Sequence, residues 1–353
     1  MSKLNTSLND VFKSTPLGDV RSAIGTTFYG INHRQTPMPV PINSDGYGLT
    51  FFTRPQLNLS TDNIRADRKF VPFLTTQPAS IQRIIRCYLD PRLMWQYNSG
   101  IDCPFVDNKN AFLPLLTNHL LSASGWPDPV LDTFTSKPGA YKEVFGFTDS
   151  SIEIYSAYDI TASFRNMMSD PITALYYAWM IYKSNVYKGV FVPYPGFLVK
   201  NEIVYNTRIY RLVLDKTKRY VQKIACTGAS EPVTVNLGSS FNFEFDKPLN
   251  ESNERIEMQF RCYGALYNDP LIVHQFNKTV CIFNPDMRPV GGATLPPPNM
   301  MPVPMASLDY FNCRGYPFIN PDTYELLWYV YQSDYSAVMS AFERHQSALN
   351  PSN

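Results

Sequence analysis

Apolar and polar positions alternate with a period of two along several stretches of this chain. From 152 to 164, Ile152, Ile154, Tyr158, Ile160, Ala162 and Phe164 share one parity. A half-buried strand requires this, because successive side chains point to opposite faces. Ile256, Met258, Phe260 and Cys262 alternate with Glu257, Gln259 and Arg261, which predicts a strand over 255–263 with one wet face. Residues 205–214 and 220–227 read as two strands joined by a charged turn, Asp215 to Arg219. Phe241, Phe243 and Phe245 alternate with Asn242 and Glu244, and 271–283 reads as one more strand. Near the N-terminus, Leu49, Phe51 and Thr53 mark a short strand. It should stop near Arg54, because Pro55 has no N–H to give a ladder.

Elsewhere the period lengthens to that of a helix. Ser169 or Asp170 can cap free N–H groups, Pro171 suits the first helical position and Gly189 offers an end. Between them Ile172, Leu175, Tyr176, Trp179 and Val186 form one apolar stripe, so Trp179 should pack between this helix and a sheet. Tyr177 and Tyr182 lie off the stripe, free to touch a neighbour. Ile81, Ile84, Ile85 and Tyr88 predict a short helix, and 111–123 another, interrupted near Pro114. A long helix is predicted from Asp322 to about Gln346, with Tyr324, Leu327, Trp328, Tyr331, Tyr335, Val338, Met339 and Phe342 on one face. So apolar a face must dock. Docking as a clasp on a neighbouring subunit or adjacent ring is the expectation, and folding back on its own domain the alternative.

These elements divide the chain into an extended arm (1–45), a β domain (46–285), a Pro-rich linker (286–304) that buries little, and a C-terminal helical segment (305–353). The β domain carries a mixed insertion, 77–146, which Trp95 and Trp126 should pin to the scaffold. The fold class expected is α+β, mainly antiparallel β: two packed sheets with a flanking helix, the insertion and a C-terminal helix.

Composition narrows the function. Charged residues are 17% of the 353, against a usual quarter, while 23 Tyr and 29 Pro are many. That balance suits a surface covered by other subunits, and equally a β-rich domain with many turns. Net charge is +1, so no global field draws nucleic acid or anionic membrane. The N-terminus lacks the apolar core of a signal peptide, and no apolar run predicts a membrane anchor. Cys87, Cys103, Cys226, Cys262, Cys281 and Cys313 are scattered, which favours reduced and mostly buried thiols. His33, His119, His274 and His345 fall in separate segments without zinc spacing. Asp62 and Asp67 flank Arg65 and Arg68 as a solvated, locally paired turn, not an acid/base dyad. No phosphate loop or nucleophile elbow occurs. Lys216 to Arg219 reads as a soluble hairpin tip, or as a patch meeting an acidic ring or DNA. The reading is therefore not an enzyme, with no catalytic residue, cofactor or metal.

One resemblance rests on segments already quoted. The strand from Leu49 through Arg54 to Leu59, the strand ending at Phe164, the Asp170–Tyr187 helix, the strand 205–215 and the closing strand 255–261 follow in that order. This resembles tail-tube-fold virion proteins of contractile-tailed bacteriophages, most closely the larger members at the baseplate and tail-tube junction, over 45–285. The resemblance implies a sandwich or barrel in which 152–164, 204–214, 220–227 and 255–263 build the sheets and the 170–187 helix flanks them. It further implies self-association into a hexameric ring whose sheets line a channel, contact with adjacent tube and baseplate proteins, and passage of DNA without sequence-specific binding. The place would be the virion tail, assembled in the host cytoplasm. The arm, insertion and C-terminal helix suit a specialised adapter ring. Other readings are a capsid or neck shell protein, such as a jelly roll, and a tail-associated carbohydrate-binding or hydrolytic module. The first demands about eight strands with little helix, and the second clustered carboxylates beside exposed aromatics.

Overall fold

The computed structural model describes residues 47–92, 103–200, 202–241, 245–246 and 254–349. The expected arm 1–45 and the expectations on Trp95, Phe243 and the Phe342 side chain lie outside that description. In chain order, β1 (Tyr47–Phe52) is followed by helices α1 (Thr61–Ala66), α2 (Ile81–Leu89) and α3 (Pro114–His119). Then come β2 (Leu120–Ser124), a hairpin of β3 (Thr133–Thr135) and β4 (Gly146–Thr148), and β5 (Ile154–Arg165). Helices α4 (Pro171–Tyr187) and α5 (Pro195–Lys200) lead to β6 (Ile209–Leu214), β7 (Val221–Val235) and β8 (Arg255–Tyr267). Helix α6 (Pro270–Phe283), β9 (Met300–Val303), β10 (Tyr316–Ile319), β11 (Leu326–Tyr331) and α7 (Gln332–Leu349) complete it.

The fold is α+β and mainly antiparallel. A six-stranded sheet runs β1-β6-β7-β8-β5-β2, a second sheet runs β10-β11-β9, and β3 pairs only β4. Thr53, just beyond β1, bridges Phe112, and the helix that follows delivers β2 to β5 at the far edge. The sheet thereby curls toward closure.

Two cores result. Ile160, Ala162 and Phe164 of β5 and Ile256, Met258, Phe260 and Cys262 of β8 lie beneath Ile172, Leu175, Tyr176 and Trp179 of α4. Trp179 is fully buried and its indole N–H donates to Tyr205 O at 2.8 Å. The second core joins Tyr210, Leu212 and Leu214 of β6 to Phe276 of α6, Phe318 of β10 and Tyr329 of β11. Neighbouring residues of β1 point to opposite sides, so Phe52 enters the first core and Phe51 the second. Phe51 lies 6.2 Å from Trp328, ring centroid to centroid, where the two sheets meet.

Strands are present within the predicted stretches 152–164, 204–214, 220–227 and 255–263, though β6 begins only at Ile209 and β7 runs on to Val235, and the helix after Asp170 is present where helical spacing predicts it. Asp170 sits at the N-cap position with φ 48°, yet its carboxylate accepts from Asn166 and caps no N–H of α4. Several expectations are corrected. Tyr182 is no neighbour-facing residue: it is buried, and its hydroxyl accepts the Asn58 N–H at 3.1 Å. Tyr182→Phe should therefore strand that donor and lower stability by about 1–3 kcal/mol in urea unfolding. Ile152, given to the core parity, is exposed outside β5. Residues 271–283 form α6, because Asp269 caps the Leu271 N–H and Pro270 occupies the first turn. Pro114 opens α3 instead of interrupting a helix, and the following residues extend into β2. Phe241 ends a 3₁₀ turn and is exposed, as is Phe245.

The C-terminal region differs most. The predicted helix from Asp322 is replaced by β11, and helix begins only at Gln332. Both faces of β11 are covered, which removes its alternation and lets Tyr324, Leu327, Trp328 and Tyr331 mimic helical spacing. The helix does fold back: Tyr335 stacks on Phe311, and Val338 packs against the cluster of Val303, Leu308, Phe311 and Val330. The region expected to bury little buries Met287, Met300 and Val303, because β9 completes the second sheet.

Candidate assembly surfaces

The wet face of the six-stranded sheet is built by β5, β8 and β7. In register, Asp159, Arg261 and Glu231 lie side by side across the three strands. Arg261 Nη1 reaches Asp159 Oδ2 at 2.8 Å, and Glu231 Oε2 receives Lys183 Nζ at 2.9 Å. The next row, Thr161, Gln259 and Thr234, is uncharged. Opposite charges directly across strands favour pairing, so the face presents balanced charge. Glu257 and Arg261 are exposed and Gln259 partly so, whereas Ile256 and Met258 are buried. Glu257→Arg should shift stability by no more than about 0.5 kcal/mol, while Met258→Arg should unfold the chain. A circular dichroism melt showing the reverse order would invert this register.

The basic tip is not free. Lys218 adopts φ 59°, Asp215 Oδ1 accepts the Arg219 and Tyr220 N–H groups, and Arg219 pairs with Glu325 beside β11. Lys218 Nζ lies 4.3 Å from the Tyr47 ring centroid. A hydrogen bond from Thr217 holds Asp215 at a pKa of about 2. These ties favour the structural reading of Lys216 to Arg219. Asp67 accepts from Asn185 Nδ2 at 2.6 Å, and Asp62 and Arg65 lie on α1. His119 ends α3 and His274 lies within α6. Among the described residues no three His, Cys, Asp or Glu side chains gather where they could hold a metal. Cys87, Cys103, Cys226 and Cys262 are buried thiols, Cys281 is half-buried and Cys313 is exposed. Burial pushes Cys87 and Cys226 up to a pKa of about 12, far from a reactive thiolate.

One surface escaped sequence reasoning. The β3–β4 hairpin lies in a stretch that reads as turns, and its signal was the brief alternation of Thr133, Phe134 and Thr135 facing Gly146, Phe147 and Thr148. From Asp128 to Glu153 every residue but Ser136 and Ser150 is exposed. A second apolar surface follows α4, where Tyr187, Val190, Val192, Leu198, Val199 and Ile203 are exposed.

Comparisons with known proteins are sparse but pointed. A family model described as "Putative phage tail tube protein" matches residues 2–343. No curated protein matches the sequence. Among solved structures, the cap that terminates the anti-feeding prophage tube overlaps at TM-score 0.28 and 14% identity, over 45% of this chain and 82% of that one. A chain of the sheath-tube complex of an extracellular contractile injection system overlaps at 0.28 and 13%, over 45% and 82%. One from the sheath/tube terminator of such a system overlaps at 0.26 and 10%, over 45% and 87%. Overlaps this low carry no structural argument.

Proposed function

Because the chain belongs to a phage tail tube protein family, we propose that it is a non-enzymatic subunit of a ring, a hexamer, at the junction of tail tube and baseplate, with DNA passing through its centre. A structural role in the virion tail comes from the family itself. The ring, its place and the passage of DNA are our reading. The observation that carries it is the wet face of β5, β8 and β7, where Arg261 lies between Asp159 and Glu231. Such a face lines a water-filled channel without holding DNA, since durable phosphate binding needs an excess of Lys and Arg. Adjacent tube and baseplate proteins are the expected partners, met after synthesis in the host cytoplasm. Among the described residues no helix is long and apolar enough to cross a membrane. Negative-stain imaging of the purified chain tests the reading: six-fold rings with a central hole are expected. A chain that stays monomeric and never enters assembled tails would overturn it.

A further inference from the structure

We propose that the β3–β4 hairpin of one copy docks on the apolar belt of a second copy formed by Tyr187, Val190, Val192, Leu198, Val199 and Ile203. The contact would join two different surfaces, and it rests on the reading that copies self-associate.

Among the described residues nothing covers the hairpin's aromatic pair. Phe134 and Phe147 face each other across its two strands, and both are exposed. An isolated two-stranded hairpin is marginal in water unless something covers it. Its frame is nonetheless well defined. Ser136 N–H donates to Phe145 O at 2.8 Å, and Asp149 N–H to Asp132 O at 2.9 Å. At its base Tyr267 donates to Pro127 O at 2.6 Å, and Trp126 packs edge-on to the Tyr267 ring. The knobs are thus held out on a stem rooted in β8.

The belt is similarly fixed, and no described residue covers it. Phe191, Tyr194 and Phe197 turn into the first core, which leaves Val190, Val192, Leu198 and Val199 facing out. Asn58 and Asn63 side chains donate to Val192 O at 2.8 and 3.0 Å and pin it in place. Tyr187, 92% exposed, extends the patch. Apolar surface grouped in this way on a rigid frame marks an interaction site. Hairpin and belt both remain exposed, so neither covers the other within one chain.

Charge selects the occupant. The hairpin carries Asp128, Asp132, Glu143, Asp149 and Glu153 against Lys137 and Lys142. The belt and the adjoining α1 turn expose Arg65, Arg68, Lys69, Lys188 and Lys200 against Asp62 and Glu202, with Asp67 half-buried beside Asn185. An acidic aromatic finger therefore meets a basic aliphatic surface, and each copy owns both halves. Such a contact leaves one finger and one belt unused on every pair, so it propagates until a rotation closes it.

Two variants of the full chain test this. Phe134→Ser with Phe147→Ser disables the finger, and Lys188→Glu with Lys200→Glu disables the belt. All four positions are exposed, so melting temperatures should stay near that of the parent. Light scattering should show each variant weakened in self-association by about 100-fold or more. Mixed together, they should form a one-to-one pair and no more, because only one intact finger meets one intact belt. Adding Asp132→Lys and Asp149→Lys to the belt variant should restore assembly by reversing both signs. If either variant assembles like the parent, or the mixture stays monomeric, the contact is wrong while self-association stands. If the parent itself never assembles, the functional reading fails and takes this contact with it.

Discussion

Arg54→Met is expected to lower stability by about 3–5 kcal/mol, because several buried carbonyls lose their donor and each buried polar group left unsatisfied costs about 1–3 kcal/mol. Arg54 is 3% exposed, and its guanidinium donates to five carbonyls, those of Cys87, Tyr88, Asp107, Asn108 and Asn110, at 2.5–3.4 Å. Two of these acceptors belong to the last turn of α2, where helical carbonyls lack partners and a cation is favoured. Burial lowers its pKa to about 10, so it stays charged at neutral pH. Methionine would match the stem but remove the guanidinium donors, although Asp107 O would keep the Asn110 N–H at 3.3 Å. Arg54→Lys should recover only part of the loss, since an ammonium has three donors and no planar fork. Urea midpoints for the two variants measure both effects. A loss under about 1 kcal/mol for Arg54→Met would mean that water replaces the guanidinium freely.

The second large effect concerns the C-terminal region. A chain ending at Pro304 should not give the soluble, strand-intact monomer that a detachable terminal helix implies. It would lose Tyr316, Phe318, Ile319, Leu326 and Tyr329 from the second core. Each large buried side chain is worth about 1.5–3 kcal/mol, so five together rival the roughly 5–15 kcal/mol that holds a whole domain. Aggregation, or loss of cooperative melting, is the expected outcome. A chain ending at Tyr331 keeps both sheets and should remain folded. If the shorter chain melts cooperatively near the parent's temperature, the second core does not depend on β10 and β11.

What the sequence made legible follows from how many faces of each element are wet. Around Ile256 to Cys262 one face is solvated, so alternation is written into the residues and the strand can be read directly. In β11 both faces are covered, and an apolar run without alternation reads as helix. The run Leu271, Ile272 and Val273 misled in the opposite sense, because three branched or aliphatic residues look like strand. The Asp269-Pro270 start was the better signal there, the same kind that located α4 after Asp170. Arg54 was beyond reach: nothing local to it announces that its five acceptors lie between Cys87 and Asn110. The hairpin was missed because exposed aromatics on short strands leave neither a buried parity nor a long period.

The wall between the two cores also sets an order of events during synthesis. Of the described strands β1 emerges earliest, yet its hydrogen-bonding partner is β6, and the Thr53 and Thr207 hydroxyls that meet beside it are 154 residues apart in sequence. Phe52 and Phe51 must wait for those later segments, and Phe51 waits again for the strand that carries Trp328. Closing such distant pairs is slow, and unpaired apolar strands are exposed to wrong partners meanwhile. Between the synthesis of β1 and that of β6 the nascent chain thus carries a sticky, unpaired strand, and its yield in a cell should depend on chaperone supply and growth temperature more than the finished fold's stability would suggest.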